Sequence, residues 1–299
     1  MLNSNVDLSF SIKEKIRETN FCGLSIGGDT TFPFLKENNN IAKAIVAIEI
    51  PYIFDANYPE ILKQEWNTNN FKNTFEKAMQ SNADIVSIKF NIKEENLSSE
   101  LDGIKKFLQS LNPNTTKPLI LRGANNTQID RILLPFLAQN APKETIIAFA
   151  DEDTYEEIVP IVAENNHILV LRTPIDINLA KELNVLSNDK GLDLNKILID
   201  PDMGGLGYGL EYGYSIIEKI RLAGFDGDTM LNMPIIAFIG EESYRSKEAK
   251  SNTFTEEWGD FKTRSLMWEI TGATAMLVAG ANIVVVWHPK CINVLKGLE

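Results

Sequence analysis

Short runs of Ile, Val and Leu recur along the chain, and between them apolar positions fall at the three-to-four-residue spacing of helices. The runs at 44–50, 84–90, 118–122, 145–150, 167–172, 196–200, 234–239 and 282–287 are apolar through most of their length, as parallel strands covered on both faces should be. Between them, 212–223 places Ile216, Ile217, Ile220 and Ala223 on one helical stripe, with Glu218 and Arg221 on the outside. The segment 264–279 predicts a long apolar helix that stops at Gly280.

Eight strands alternating with helices predict an α/β fold, a single (β/α)8 TIM-type barrel over 43–299. The competing architecture, a doubly wound open sheet, requires a reversal of strand order that the pattern does not signal. Residues 1–42 stand outside the repeat as an N-terminal extension. Within it, 21–34 carries Gly27-Gly28-Asp29 and Pro33, and reads as a hairpin or plug over the N-terminal end of the barrel. Two long connections interrupt the rhythm, an irregular insertion at 52–70 after the first strand and another at 241–259 after the seventh. Long loops in a compact domain are usually functional.

Composition narrows the chemistry. With 299 residues and 44% apolar side chains, one full core is expected. A net charge of −12 with no Lys/Arg cluster argues against a nucleic-acid partner. The first residues lack the pattern of a signal peptide, and the run 273–287 is too short for a membrane span and is broken by Gly280 and Asn282, so a cytoplasmic setting is expected. Cys22 and Cys291 are too few for an iron–sulfur cluster, which needs about four thiolates. His167 and His288 cannot form a zinc site without carboxylates.

In such barrels chemistry sits on the loops after the strands. Polar residues there are Asn91, Arg122 with Asn125 and Asn126, Asp151 and Asp153, Arg172 with Asp176, Asp200 and Asp202, Glu241 and Glu242, and His288. Each could simply cap the helix that follows. The Glu241-Glu242 pair has Arg245, Lys247 and Glu248 in reach and reads as salt-bridged surface. His167 opens a strand at the opposite end and reads as structural. His288, followed by Pro289, reads as a rim cap with its imidazole near the barrel axis, either structural or a ligand contact.

The sixth loop differs. Asp200-Pro201-Asp202-Met203-Gly204-Gly205-Leu206-Gly207-Tyr208-Gly209 places four glycines within 204–209 and runs into a helix. It lacks the dinucleotide glycine spacing and the Lys-Ser/Thr of a P-loop. A side-chain-poor surface for a large flat ligand or another polypeptide fits better, with Tyr208, Tyr212 and Tyr214 as anchors.

The block LGYGLEYGYS, with Ile199-Asp200-Pro201 before it, resembles the small subunit of corrinoid iron–sulfur proteins, the delta subunit of acetyl-CoA decarbonylase/synthase. Gly227-Asp228, Met233-Pro234-Ile235-Ile236, Gly240-Glu241-Glu242, Trp258-Gly259, Trp268-Glu269 and His288-Pro289 continue the resemblance in order, as do Gly27-Gly28-Asp29-Thr30 and Asp176-Ile177-Asn178 upstream. The chain differs from the family pattern in Tyr244, where a Trp follows the paired glutamates, and in Trp287, where a basic residue precedes the histidine.

The resemblance implies a heterodimer with a larger subunit that carries a 4Fe–4S cluster and a corrinoid domain, the cobamide lying between that domain and the top of this barrel. It further implies a carrier role. A methyl group arrives from a methyltetrahydropterin-dependent methyltransferase and passes to acetyl-CoA synthase, in the reductive acetyl-CoA (Wood–Ljungdahl) pathway. The expected cofactor-lining residues are Asp200, Gly204, Gly205, Leu206, Gly207 and Tyr208, with His288 at the edge; no catalytic or metal-ligating residue is assigned. The rival is a stand-alone pterin-binding methyltransferase barrel using Asn91, Asn125, Asp151 and Asp200.

Overall fold

In the computed structural model the described residues are 12–33, 43–111 and 117–297. Within the sequence's extension, 1–11 and 34–42 lie outside them.

Ten strands are present among the described residues. β1 (Glu18–Phe21) and β2 (Leu24–Gly27) form an antiparallel hairpin. The barrel strands are β3 (Ile45–Pro51), β4 (Ile85–Lys89), β5 (Leu119–Arg122), β6 (Ile146–Ala150), β7 (Ile168–Arg172), β8 (Ile197–Asp200), β9 (Ile236–Phe238) and β10 (Ile283–Val286). All eight pair in parallel in the order β8-β7-β6-β5-β4-β3-β10-β9. A parallel bridge between Ile199 and Ile235 joins the two ends, so the sheet closes into a barrel and the open doubly wound alternative is excluded.

Strand periodicity sorts the side chains into two cores. Val46, Ile48, Ile50, Val86 and Leu121 face outward against the helices. Ile45, Ala47, Ile85, Ile120, Ile146, Ile168, Leu198, Ile236 and Ile283 face inward and fill the lower barrel. Phe21 and Ile26 of the hairpin join this inner cluster from below. Each fully buried Ile or Leu contributes roughly 1.5–3 kcal/mol, so the lower barrel is a rigid base.

Continuing the same inward rows toward the strand ends brings in Glu49, Ser87, Lys89, Arg122, Arg172 and Asp200. The interior therefore changes from aliphatic to charged along its axis, toward the C-terminal mouth.

The helices used below are α1 (Glu60–Trp66), α7 (Leu210–Phe225), α8 (Ile239–Arg245), α9 (Lys247–Lys250), α10 (Phe261–Ala279) and α11 (Cys291–Lys296). Two of the long connections are more ordered than their sequences predict. The 52–70 insertion contains α1, and 241–259 opens within α8, which follows β9 with no intervening loop. Gly240 allows that turn, since a Cβ there would fall 2.4 Å from Trp287 Cδ1. No helix among the described residues is long and apolar enough to cross a membrane.

Arg221 corrects the expected stripe on α7. Instead of facing solvent it is 1% exposed, its Nε donating to Gly280 O at 2.8 Å and its Nη1 to Met233 O at 3.2 Å, with Asn282 as a further partner. A long side chain can leave the polar face and satisfy backbone carbonyls at the end of the neighbouring helix.

Candidate functional site

The charged mouth is one connected network. Arg122 Nη1 donates to Glu49 Oε1 at 2.8 Å and Nη2 to Glu241 Oε2 at 2.5 Å. The Trp287 indole donates to the same Glu49 Oε1 at 2.8 Å, and Ser87 Oγ donates to Glu49 Oε2 at 2.8 Å. Lys89 Nζ donates to Glu241 Oε1 at 2.9 Å. Burial opposes ionisation of Glu241, but Arg122 and Lys89 outweigh it and hold the carboxyl well below the usual range. Glu241 is salt-bridged as expected, but its place on the surface is corrected. It reaches into the barrel because α8 begins at the end of β9, which aims the first turn across the mouth.

Glu242 does pair with Arg245, at 2.8 Å. Burial lifts its carboxyl to about 7, Arg245 opposing and Glu241 adding to the shift.

Across the mouth, Arg172 Nε donates to Asp200 Oδ2 at 2.6 Å, and its guanidinium carbon lies 3.4 Å from the centre of the Phe149 ring. Asp200 also accepts the Asp202 N–H at 3.1 Å. It is 1% exposed, so it supports the sixth loop from beneath rather than lining its surface.

The loop itself reaches the surface in part. Gly207 is exposed, and a Cβ on it would meet only Trp268 Cζ2, at 3.9 Å. Gly205 is buried, and a Cβ there would fall 2.7 Å from Glu242 O. Gly204 is held as closely by the carbonyl of Tyr208, so these two glycines serve the packing of the loop. Tyr208 and Tyr212 are 64% and 62% exposed. They are not anchors within this chain, because the helix start at Leu210 turns them outward; Tyr214 is half-buried.

Two hollows flank the loop. One of about 400 Å³ lies between Ile175, Met203, Gly204, Tyr208, Glu242 and Arg245. The other, of about 310 Å³, runs from Leu206 along Trp258, Met267 and Trp268. Together they make a shallow shelf, apolar and aromatic with a few polar groups. That is the character of a surface that receives part of a larger ligand.

His288 is 1% exposed. Its backbone N–H donates to Glu269 Oε2 at 3.0 Å and its Nδ1 accepts from Lys290 N at 3.2 Å. Burial pushes the imidazole down to about 4, so it is neutral at pH 7. The structure thus brings Gly204, Leu206, Gly207 and Tyr208 together at the surface and places Asp200, Gly205 and His288 beneath it. His167 bridges Thr145 N and Ala138 O and is structural.

Of the four residues proposed for a pterin, only Asn125 and Asp151 converge. Asn91 is fixed by Ile53, whose N–H donates to its Oδ1 at 2.9 Å while its Nδ2 donates to the carbonyl at 2.7 Å. Asn125 and Asp151 instead line a separate cavity of about 220 Å³ with Arg172, Asp202 and Phe149. Among the described residues no group of three or more His, Cys, Asp or Glu could hold a metal ion. Sequence reasoning missed Glu49 and Lys89, though a lone acid inside the run Ile48-Glu49-Ile50 was a visible signal.

Residues 22–276 match the family described as CO dehydrogenase/acetyl-CoA synthase delta subunit. The acetyl-CoA decarbonylase/synthase complex subunit delta of Methanocaldococcus jannaschii is 30% identical over 193 residues, covering 64% of this chain and 47% of that protein. Subunit delta 1 of Methanosarcina thermophila is 27% identical over 293 residues, covering 91% of this chain and 64% of its own length. The chain therefore spans about half to two thirds of these relatives.

Similar solved structures include a dihydropteroate synthase of Xanthomonas albilineans, with a TM-score of 0.57, 15% identity, and coverage of 95% of this chain and 97% of that one. Another is the Yersinia pestis enzyme with a pterine–sulfa conjugate, at TM-score 0.58 and 13% identity, covering 94% and 96%. At these identities the likeness is one of fold.

Proposed function

This chain belongs to the CO dehydrogenase/acetyl-CoA synthase delta subunit family, and from that premise we propose that it is the barrel subunit of a corrinoid methyl carrier. In this reading a cobamide lies between the sixth-loop shelf and a larger partner subunit, which supplies the 4Fe–4S cluster. A methyltetrahydropterin methyltransferase loads the methyl group and acetyl-CoA synthase receives it.

The observation that carries the reading is the shelf. Gly207 leaves its backbone open, Tyr208 stands clear of the chain, and the adjoining hollow offers apolar Ile175 and Met203 beside the polar Glu242 and Arg245. A macrocycle with an apolar face and an amide-bearing edge fits such a mixture. The bound corrinoid would supply a cobalt that accepts and releases a methyl group. This chain's part is to cover a face and exclude water with Met203, Ile175 and Tyr208, while Glu242 and Arg245 offer hydrogen bonds at the edge. The Arg172–Asp200 pair underneath holds the shelf in one place. Neither cysteine suits a shared cluster in this reading, Cys22 lying in the hairpin turn below the barrel and Cys291 being buried beside Glu269.

The test is corrinoid content. Co-expressed with the larger subunit, Tyr208→Asp should lower visible corrinoid absorbance per heterodimer several-fold, and Tyr208→Phe should retain it. Because the side chain is exposed, the barrel should stay folded. Full corrinoid in a folded Tyr208→Asp heterodimer would remove the shelf from the proposal.

The cavity of Asn125, Asp151, Arg172 and Asp202 over Phe149 favours a second reading, a pterin-binding barrel acting alone. Calorimetric titration of the isolated chain with methyltetrahydrofolate separates the two, since tight binding without the partner belongs only to the second.

A further inference from the structure

A third hollow, of about 310 Å³, opens at the barrel mouth on the side of β3 and β4. Tyr58, Tyr244 and Trp287 wall it, with Tyr244 and Trp287 stacked at 5.9 Å between ring centres. Glu49, Asp55, Glu241, Lys89, Arg245 and Lys250 provide its charges.

The hydrogen-bonding capacity of those charges is unequally used. The three carboxylates are occupied. Glu49 accepts from Arg122, Trp287 and Ser87, and Glu241 from Arg122 and Lys89. Asp55 Oδ1 accepts the N–H groups of Asn57 and Tyr58 at 2.8 and 3.0 Å.

The cations are not occupied to the same extent. Lys89 uses one of its three N–H bonds, on Glu241, and lies 5.8 Å from the centre of the Trp287 ring. Arg245 uses Nη1 on Glu242, while its Nη2 stays 3.8 Å from Glu241. Lys250 makes no ion pair among the described residues. What the hollow lacks is acceptors.

We propose that this mouth cavity is a binding site for a small oxyanion of the carboxylate or phosphate class, held by Lys89 at its floor and by Arg245 and Lys250 at its opening. The site adjoins the sixth-loop shelf, with Arg245 lining both hollows, and its binding of an oxyanion does not depend on a corrinoid. Arg122, Trp287 and Ser87, hydrogen-bonded around Glu49 and Glu241, fix the carboxylate that keeps the Lys89 ammonium in position, so the anion meets a preorganised donor. The cavity is at the small end of the range for ligand sites, which suits such an ion and excludes a macrocycle.

The full chain is titrated, without partner or corrinoid, with inorganic phosphate and separately with malonate at constant ionic strength, read by calorimetry and tryptophan fluorescence. Saturable binding of either ion supports the site. Lys250→Gln should weaken it roughly 3–10-fold and Arg245→Gln/Lys250→Gln more than tenfold, as expected for charge-assisted contacts. Lys247→Gln, on the same short helix but not lining the hollow, should leave it unchanged. If neither ion saturates, or if Lys247→Gln weakens binding as much as Lys250→Gln, the attraction is diffuse and the site does not exist.

Discussion

Arg122 Nη1 donates to Glu49 Oε1 at 2.8 Å inside the barrel, with 1% of either side chain exposed. A buried pair of this kind adds little net stability over an apolar pair, but removing one partner strands the other. Arg122→Met would strand the Glu49 charge and leave Glu241 with Lys89 as its close cation, and should cost about 3–5 kcal/mol by urea denaturation. Glu49→Gln/Arg122→Met should cost less than the sum of the two single changes. Additive penalties would show that the two side chains act independently.

The glycine loop gives a ranking. A Cβ at Gly205 would meet the Glu242 backbone at 2.7 Å, which cannot swing aside, so Gly205→Ala should destabilise by about 1–3 kcal/mol. Gly207 has open space but a φ of +81°, so Gly207→Ala should cost roughly 1 kcal/mol from backbone strain alone. Denaturation midpoints should fall in that order. Ligand experiments therefore belong at Gly207 and Tyr208 rather than at Gly205.

These cases mark what the sequence made legible. Strand positions followed from Ile and Val runs, because burial on both faces demands them, and each expected strand has an observed counterpart. The sixth loop was visible for the same kind of reason, since glycines on that scale serve a backbone need. What stayed hidden depends on distance in the chain. Glu49, Arg122 and Glu241 come from β3, β5 and α8, and nothing local says that they share hydrogen bonds. Asp200 and His288 had the right strand-end positions, but their depth was set by partners elsewhere, Arg172 and Glu269. Arg221 obeyed helical spacing in Cα position while its side chain did not.

Burial gives Glu269 and His288 opposite pH signatures. Burial lifts Glu269 to about 7, against which the N–H groups of Trp287 and His288 work in the other direction. The folded state then holds a proton that the unfolded chain, with an ordinary Glu near 4.5, releases earlier. This contribution favours the fold below about 4.5 and is lost as pH rises to about 7. His288, lowered to about 4, favours the fold above about 6.5 and loses that contribution as pH falls toward 4. Glu269→Gln removes only the first signature. Relative to this variant, the native chain should lose on the order of 3 kcal/mol between pH 4.5 and 7. Parallel stability curves for the two proteins across that range would contradict the assignment.

Arg264, near the start of α10, fastens the segment that follows α8. Its Nε donates to Glu248 O at 2.9 Å, its Nη2 to Ser251 O at 2.8 Å, and its Nη1 to Trp258 O and Gly259 O at 3.2 and 3.1 Å. Phe254 lies 5.0 Å from the guanidinium carbon, so a single cation gathers both ends and the middle of the strap. Because the strap packs over the mouth rather than within the barrel core, loosening it should open a local unit and leave the eight strands in place. Arg264→Ala should raise the rate of tryptic cleavage at Lys247 and Lys250 by tenfold or more, while the urea midpoint of the barrel shifts only slightly. Arg264→Lys should restore little protection, since an ammonium cannot span four carbonyls as a planar fork does. Cleavage that accelerates only in step with global unfolding would place Arg264 among ordinary core contacts.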